Sequence, residues 1–282
     1  MSSRSEAIEQ YNAALKLGKK YYSACMARGQ SPYPAVLEDI LSESATAGSV
    51  KLGLIDVPLD RVTGTLADGR KAAFAGNFMP LLDASSEFAS KWVSLCEAHL
   101  EEGINDPIVC YEYLGNFYVQ EGHKRVSVLK SYGAASIPGL VTRMVPAPSK
   151  APDIQLYYEF MEFYKASQLY LVSFTLPGSY ARLQAALGFE PGQAWTEEAR
   201  RAFSSDYRKF SDAFDLLNTE KLPLTAGDAL LAYLQVHPYA EMSKMTSDEI
   251  LKTLGAVWPD IRLLAKGGPI SVSAEPIEKE KG

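Results

Sequence analysis

The chain has 282 residues, is 47% hydrophobic and 22% charged, and carries a net charge of −6, which suits one large or two ordinary globular domains and excludes a dominant electrostatic grip on nucleic acid. Three cysteines (Cys25, Cys96, Cys110) and three histidines (His99, His123, His237) are scattered, which excludes a clustered zinc motif and reads as reduced, buried or half-buried thiols. No run of about 18 apolar residues occurs and the first ten residues hold no apolar signal core, so the expectation is a cytoplasmic protein with no membrane span.

Residues 3–28 read as a helix: Ser3 and Glu6 have capping-box spacing, and Ile8, Tyr11, Leu15, Tyr22 and Met26 keep helical periodicity up to Gly29. After Pro32 and Pro34 a short helix is expected over 35–44, and residues 1–49 together form an N-terminal helical arm that packs on something else. Leu52, Leu54, Ile55 and Val57 predict a strand closed by Pro58-Leu59-Asp60, and residues 63–77, rich in Gly, Thr, Ala and Arg, predict a loop. Phe88, Trp92, Leu95, Cys96 and Leu100 share one side of a helix over 86–102, ended by Gly103. A strand over 107–113, a turn at Leu114-Gly115-Asn116 and a return strand over 117–120 follow. A helix over 122–132 stops at Gly133, and Ile137-Pro138 leads to a last strand over 140–145.

Pro146, Pro148 and Pro152 mark a linker. Beyond it helices are expected at 153–168, 178–187, 196–217, 225–235 and 246–265, with capping spacing at Thr225/Asp228 and Thr246/Glu249. Residues 267–282 lose all periodicity and read as a disordered tail or a linker. The expected fold class is therefore α+β: the helical arm over 1–49, a small mixed-sheet domain over 50–146, and an all-helical domain over 153–266.

The stretch from Gly115 to Lys130 is the most informative: a strand, a glycine turn with polar and basic side chains, then a helix. Such a turn aims backbone N–H groups and a positive helix end at one spot, which suits a phosphate. Gly122 allows the sharp turn and a close approach to a ligand. Lys124 and Arg125 add positive charge, Arg as a two-pronged donor and Lys as a point charge. Glu121 can hold a magnesium ion or orient a water, and His123 can donate to a phosphate or shuttle a proton. The competing reading is a surface turn with solvated charges. In the loop before it, Thr63, Thr65 and Arg70 are candidates for phosphate contacts, against a flexible, solvated loop. Phe74, Phe78 and Met79 read as core or hinge packing.

The order of these elements, with Val57-Pro58-Leu59-Asp60, the helix exit at 103–109, and Gly122-His123-Lys124-Arg125 followed by Ile137-Pro138, resembles the ParB/sulfiredoxin family over about residues 50–146. The resemblance implies a nucleoside triphosphate, ATP or CTP, with Mg2+ at the turn. Sulfiredoxins read Gly-Cys-His-Arg there with a catalytic cysteine. His123 stands in the cysteine position, which argues against sulfinic acid reduction because that chemistry needs a thiolate. Partition proteins of the family read Gly-Glu-Arg-Arg, and its free-serine kinases read Asp-Gly-His-His-Arg. Glu121-Gly122-His123-Lys124-Arg125 is closest to the kinase form. The whole chain also resembles the N-terminal part of bacterial proteins of the BMP (basic membrane protein) family, whose periplasmic-binding-type domain typically binds nucleosides; an intracellular sensor is then implied.

The aromatic residues of 153–265, including Tyr157, Phe160, Phe163, Tyr164 and Tyr170, read as core at helical spacing. A helix, Gly255 and a second helical stretch over 246–264 vaguely fit a helix–turn–helix, which partition proteins carry after the nucleotide domain. Pro259 and charge oppose it: by count, residues 151–282 hold 13 Lys+Arg and 18 Asp+Glu, a net of −5, against −1 (15 and 16) for residues 1–150. An interaction or dimerisation bundle is the better expectation. The expected function is a nucleotide-binding regulatory module that signals through the helical domain to a protein partner or a second copy. The alternatives are a nucleotide hydrolase or small-molecule kinase using Glu121 and His123, and a DNA-binding partition-like or transcription factor.

Overall fold

The computed structural model describes residues 2–266. The chain divides into two compact units, Met1–Pro148 and Ser149–Gly282. The division falls inside the proline-rich linker, and the tail at 267–282 lies outside the described residues.

The first unit opens with helix α1 (Ser3–Ala27). Its N-cap is Ser2, one residue earlier than the capping-box spacing indicated; the Ser2 hydroxyl accepts from the Ser5 N–H at 3.3 Å. The buried stripe is Ala7, Tyr11, Ala14, Gly18 and Cys25, whereas Ile8 and Met26 are 45% and 56% exposed. The inward face is thus made of small residues, because α1 lies close against helix α3 (Glu87–Glu102) and the segment at Met79–Pro80. A methyl group on Gly18 would stand 2.3 Å from the Pro80 carbonyl oxygen. The ring of Tyr11 meets Trp92 edge-on at 5.3 Å, and its hydroxyl donates to the Leu82 carbonyl at 2.6 Å. The helix expected as an arm therefore belongs to the core of the first unit.

Six strands form one mixed sheet in the order β1-β3-β5-β4-β6-β2. They are β1 (Ala35–Val36), β2 (Thr46–Pro58), β3 (Val62–Thr65), β4 (Ile108–Tyr113), β5 (Asn116–Glu121) and β6 (Ser136–Pro146). β1 and β3 are parallel neighbours, as are β3 and β5 and β4 and β6; the β4–β5 and β2–β6 pairs are antiparallel. Two sequence expectations change here. Ala35 and Val36 form a strand, and helix α2 covers only Leu37–Ser42. Residues 63–65, expected at the start of the loop, are strand β3, paired through Gly64 and Thr65 with Tyr118 and Val119. Strands this short display no readable alternation; their pairing is decided by β5, against which they align.

Leu114 and Gly115, both at positive φ (50° and 78°), are the central residues of the β4–β5 turn, and Asn116 already pairs with Tyr113. The buried Glu112 carboxylate accepts the Gly115 N–H at 2.7 Å and is ion-paired with Arg143. Helix α4 (His123–Ser131) packs against α3, where Trp92 Nε1 donates to Ser127 Oγ at 2.9 Å.

The second unit holds helices α5 (Pro152–Ser167), α6 (Ser179–Ala186), α7 (Glu197–Leu217), α8 (Ala226–Tyr233), the short α9 (Tyr239–Met242) and α10 (Ser247–Ala265). Both expected capping boxes, at Thr225/Asp228 and Thr246/Glu249, are present. The aromatic stripe is core: Phe160, Phe163, Tyr164 and Tyr170 are buried and in ring contact with one another or with Tyr180. The helix expected over 246–265 is α10, which runs unbroken through Gly255 and Pro259, so the helix–turn–helix that 246–264 vaguely fits does not form. Ile250, Leu254, Val257 and Ile261 form one buried stripe along it, and Trp258 meets Phe214 of α7 at 5.7 Å. This continuous packing outweighs the hydrogen bond that Pro259 cannot donate.

Candidate functional site

The site is the junction of β5 and α4. Gly122 turns the chain at φ 100°, ψ 17°, a left-handed conformation that glycine adopts without a Cβ clash. The space beside its Cα is filled by protein: a Cβ there would stand 2.6 Å from Ile108 Cγ2. Glycine is thus required at this position by the turn and by the packing of β4, and not to admit a ligand as the sequence implied.

Helix α4 starts with no side-chain cap. Helices α1, α3, α7, α8 and α10 each start with a Ser or Thr hydroxyl accepting a first-turn N–H. The first-turn residues of α4, His123, Lys124 and Arg125, stand at the positive end of the helix, where no side chain caps it. Beside them is a cavity of about 250 Å³ lined by Gly69, Ala72, Ala73, Phe74, Phe88, His123 and Lys124. The sequence-predicted loop and the sequence-predicted turn therefore do come together. The loop wall is a 3-10 turn over Asp68–Ala73, which contains Arg70.

The side chains at the turn divide by role. Lys124 lies over the Phe88 ring, its Nζ 4.8 Å from the centroid, and faces the cavity. Arg125 leans back: its Nη1 donates to the carbonyls of Asp106 and Pro107 and fixes the entry to β4. Its Nε–Nη2 edge, the one that matches two phosphate oxygens, makes no hydrogen bond among the described residues. Glu121 is exposed at the end of β5. Among the described residues no group of three or more His, Cys, Asp or Glu is arranged to hold a metal ion. A single carboxylate beside phosphates fits magnesium, which keeps much of its water and takes one or two carboxylates from a protein.

His123 is 4% exposed, and its Nε2 lies 2.9 Å from Thr65 Oγ1. The Thr65 hydroxyl is also 3.2 Å from the carbonyls of both Ala67 and Val119. With two carbonyls competing for the one Thr65 proton, the group is best satisfied when His123 Nε2 carries hydrogen and donates to Oγ1. Thr65 is 2% exposed, so it serves the site by fixing His123 and not by touching a phosphate. Thr63 lies on β3, the strand paired with β5, beside the Tyr118 side chain.

The His123 ring stacks on Phe74 (6.0 Å, 23°) and on Phe78 (6.4 Å, 21°). Phe78 is fully buried and sits at φ 64°, an unusual backbone for a bulky residue that marks strain held by its surroundings. Its ring also lies under Lys130, whose Nζ is 5.2 Å from the centroid and donates to the Val62 carbonyl at 2.8 Å. Burial lowers the Lys130 pKa to about 8. Sequence reasoning missed Lys130, although His123, Ser127 and Lys130 have the i, i+4, i+7 spacing of one helix face. Phe74, Phe78 and Met79, read as core or hinge, are all buried. They clamp the loop where it leaves the cavity, helped by the Ala75 N–H on Met79 O and the Gly76 N–H on Pro32 O.

No protein-family model and no curated protein matches the chain.

Proposed function

We propose that the unit Met1–Pro148 is a nucleotide-binding module of ParB/sulfiredoxin-like fold, in which the triphosphate of ATP or CTP, with Mg2+, lies on the first turn of α4. The observation that carries this reading is the uncapped start of α4 opening beside a cavity of about 250 Å³ with Lys124 in its wall. The positive start of a helix together with a cation beside it forms an anion site. The cavity is smaller than the roughly 300–1,000 Å³ usual for whole ligands, so it houses one end of the nucleotide. In this reading the amides of His123, Lys124 and Arg125 hold phosphate oxygens and the Nε–Nη2 edge of Arg125 grips from the side. Glu121 holds magnesium when the metal is bound, and the side chain of Arg70, the remaining sequence candidate, lies outside what the structure describes.

The setting of His123 favours a binding module over an enzyme. A proton shuttle needs a ring that meets its substrate, whereas this ring is buried, tied to Thr65 and stacked on two phenylalanines. A regulatory role follows, in which nucleotide at the loop changes how the helical unit meets a protein partner or a second copy.

The test is thermal unfolding of the full chain with ATP, CTP, GTP and nucleosides plus magnesium, beside Lys124→Ala and Arg125→Ala. One nucleotide at about 100 times its Kd stabilises the protein by about 2.7 kcal/mol, and both variants lose most of that gain. The reading fails if no nucleotide stabilises the protein, or if the variants respond as the parent does. Steady magnesium-dependent turnover, abolished by Glu121→Gln, would instead mark an enzyme.

A further inference from the structure

The helical unit has a cavity of its own, of about 260 Å³, between α6, α8 and the C-terminal end of α10. Its walls are mainly apolar: Leu176, Leu224, Leu231, Ile261 and Leu264 contribute. Four polar residues also line it, namely Thr175, Ser179, Arg182 and Asp228.

Asp228 is spent on the fold. One of its oxygens accepts the Thr175 N–H at 3.0 Å, and the other accepts the Thr225 N–H and hydroxyl at 2.9 Å each. Ser179 and Arg182 are not spent. Ser179 is 1% exposed, and its hydroxyl makes no hydrogen bond among the described residues. Its oxygen is not among the fully enclosed atoms left without a partner, so the hydroxyl opens onto the cavity, where a ligand or water can complete it. Arg182 is exposed at the lip and makes no ion pair among the described residues. The two are three residues apart on α6, hence on one helix face. Ser179 is also the first residue of α6, whose start is already met by the Glu159 carboxylate on the Gly178 N–H at 2.8 and 2.7 Å, so the charge partner for an anion here is Arg182.

From this arrangement we propose that the helical unit binds a short aliphatic monocarboxylate. The acyl chain fills the apolar cavity, the Ser179 hydroxyl donates to one carboxylate oxygen, and Arg182 pairs with the anion at the lip. The volume suits a short chain and not a long fatty acid, because it falls below the usual range of about 300–1,000 Å³ for small-molecule sites. Charge selects the head group: among the described residues the only cation in the lining is Arg182 and the only acid there, Asp228, already has its oxygens occupied. The proposal concerns the second unit alone and does not depend on nucleotide binding by the first.

The probe is hexanoate, titrated calorimetrically into the full chain, with hexylamine as the counterpart of opposite charge. Saturable binding of hexanoate and none of hexylamine is expected. Arg182→Gln, a change at an exposed position, should weaken hexanoate binding about ten- to hundredfold, the usual loss for a hydrogen bond to a charged group. Ser179→Ala, which removes only the buried oxygen, should weaken it by a smaller factor. The proposal is overturned if hexanoate does not bind saturably, if Arg182→Gln binds it as the parent does, or if hexylamine binds equally well.

Discussion

At the scale of single residues, the candidate site rests on a few side chains whose positions are set by packing. Gly122 is enclosed by Ile108 on one side and held at φ 100°. Gly122→Ala combines a clash with a left-handed backbone, so it should cost about 1–3 kcal/mol of stability. Chemical denaturation reads this directly, and an unchanged unfolding midpoint would show that β4 can move aside. Lys130 makes a prediction in pH. Burial lowers its pKa from the usual 10.5 to about 8 in the folded protein. Between those values the unfolded chain holds a proton that the folded chain lacks, so this group's contribution to stability rises with pH from about 8 to 10.5. Below pH 8 the folded state bears the cost of a poorly solvated ammonium. Lys130→Met removes that titration. The unfolding free energy of the parent should therefore gain on that of the variant across this interval, and parallel curves would show that the amine is well solvated.

At the scale of elements, the hydrophobic pattern located nearly every helix and the long strands, because those segments are long enough for their period to repeat. It misjudged α1 in one respect. Of the periodic large residues Ile8, Tyr11, Leu15, Tyr22 and Met26 only Tyr11 is buried, while Ala7, Ala14 and Gly18 face inward and Ile8 faces water. Helices that approach closely do so on small residues, and a hydrophobicity count does not see that. Gly18→Ala places a methyl group 2.3 Å from the Pro80 carbonyl oxygen, a rigid backbone atom, and should destabilise the first unit by about 1–3 kcal/mol. A variant as stable as the parent in thermal melts would mean that α1 is loosely seated. β1 and β3 escaped detection because two and four residues carry no usable alternation. The helix expected over 246–265 is the unbroken α10, held through Gly255 and Pro259 by the buried stripe from Ile250 to Ile261.

At the scale of the whole molecule, the sequence suggests an arm over 1–49, a mixed-sheet domain over 50–146 and a helical domain over 153–266 after a proline-rich linker, whereas the structure divides into Met1–Pro148 and Ser149–Gly282. The turn at Gly122–Arg125 was legible because a glycine between a strand and a helix, followed by basic residues, is a local pattern. What surrounds it was not. The tie between Thr65 and His123 spans 58 residues, and the strained Phe78 between His123 and Lys130 follows from tertiary packing. Sequence reasoning assigned Thr65 to a ligand because a threonine in a glycine-rich segment resembles a phosphate contact; only the fold shows that its hydroxyl is already used. No helix among the described residues is long and apolar enough to cross a membrane.

The central claim is that the uncapped first turn of α4 receives phosphate. The most direct measurement is a backbone amide spectrum of the isotope-labelled full chain during titration with magnesium and the nucleotide that stabilises it best, with inorganic triphosphate as a second ligand. The account predicts that the His123, Lys124 and Arg125 amides move first and furthest with both ligands, and that amides of the Asp68–Ala73 turn follow. Shifts confined to other parts of the chain, or an α4 first turn that stays in place at saturating ligand, would contradict it.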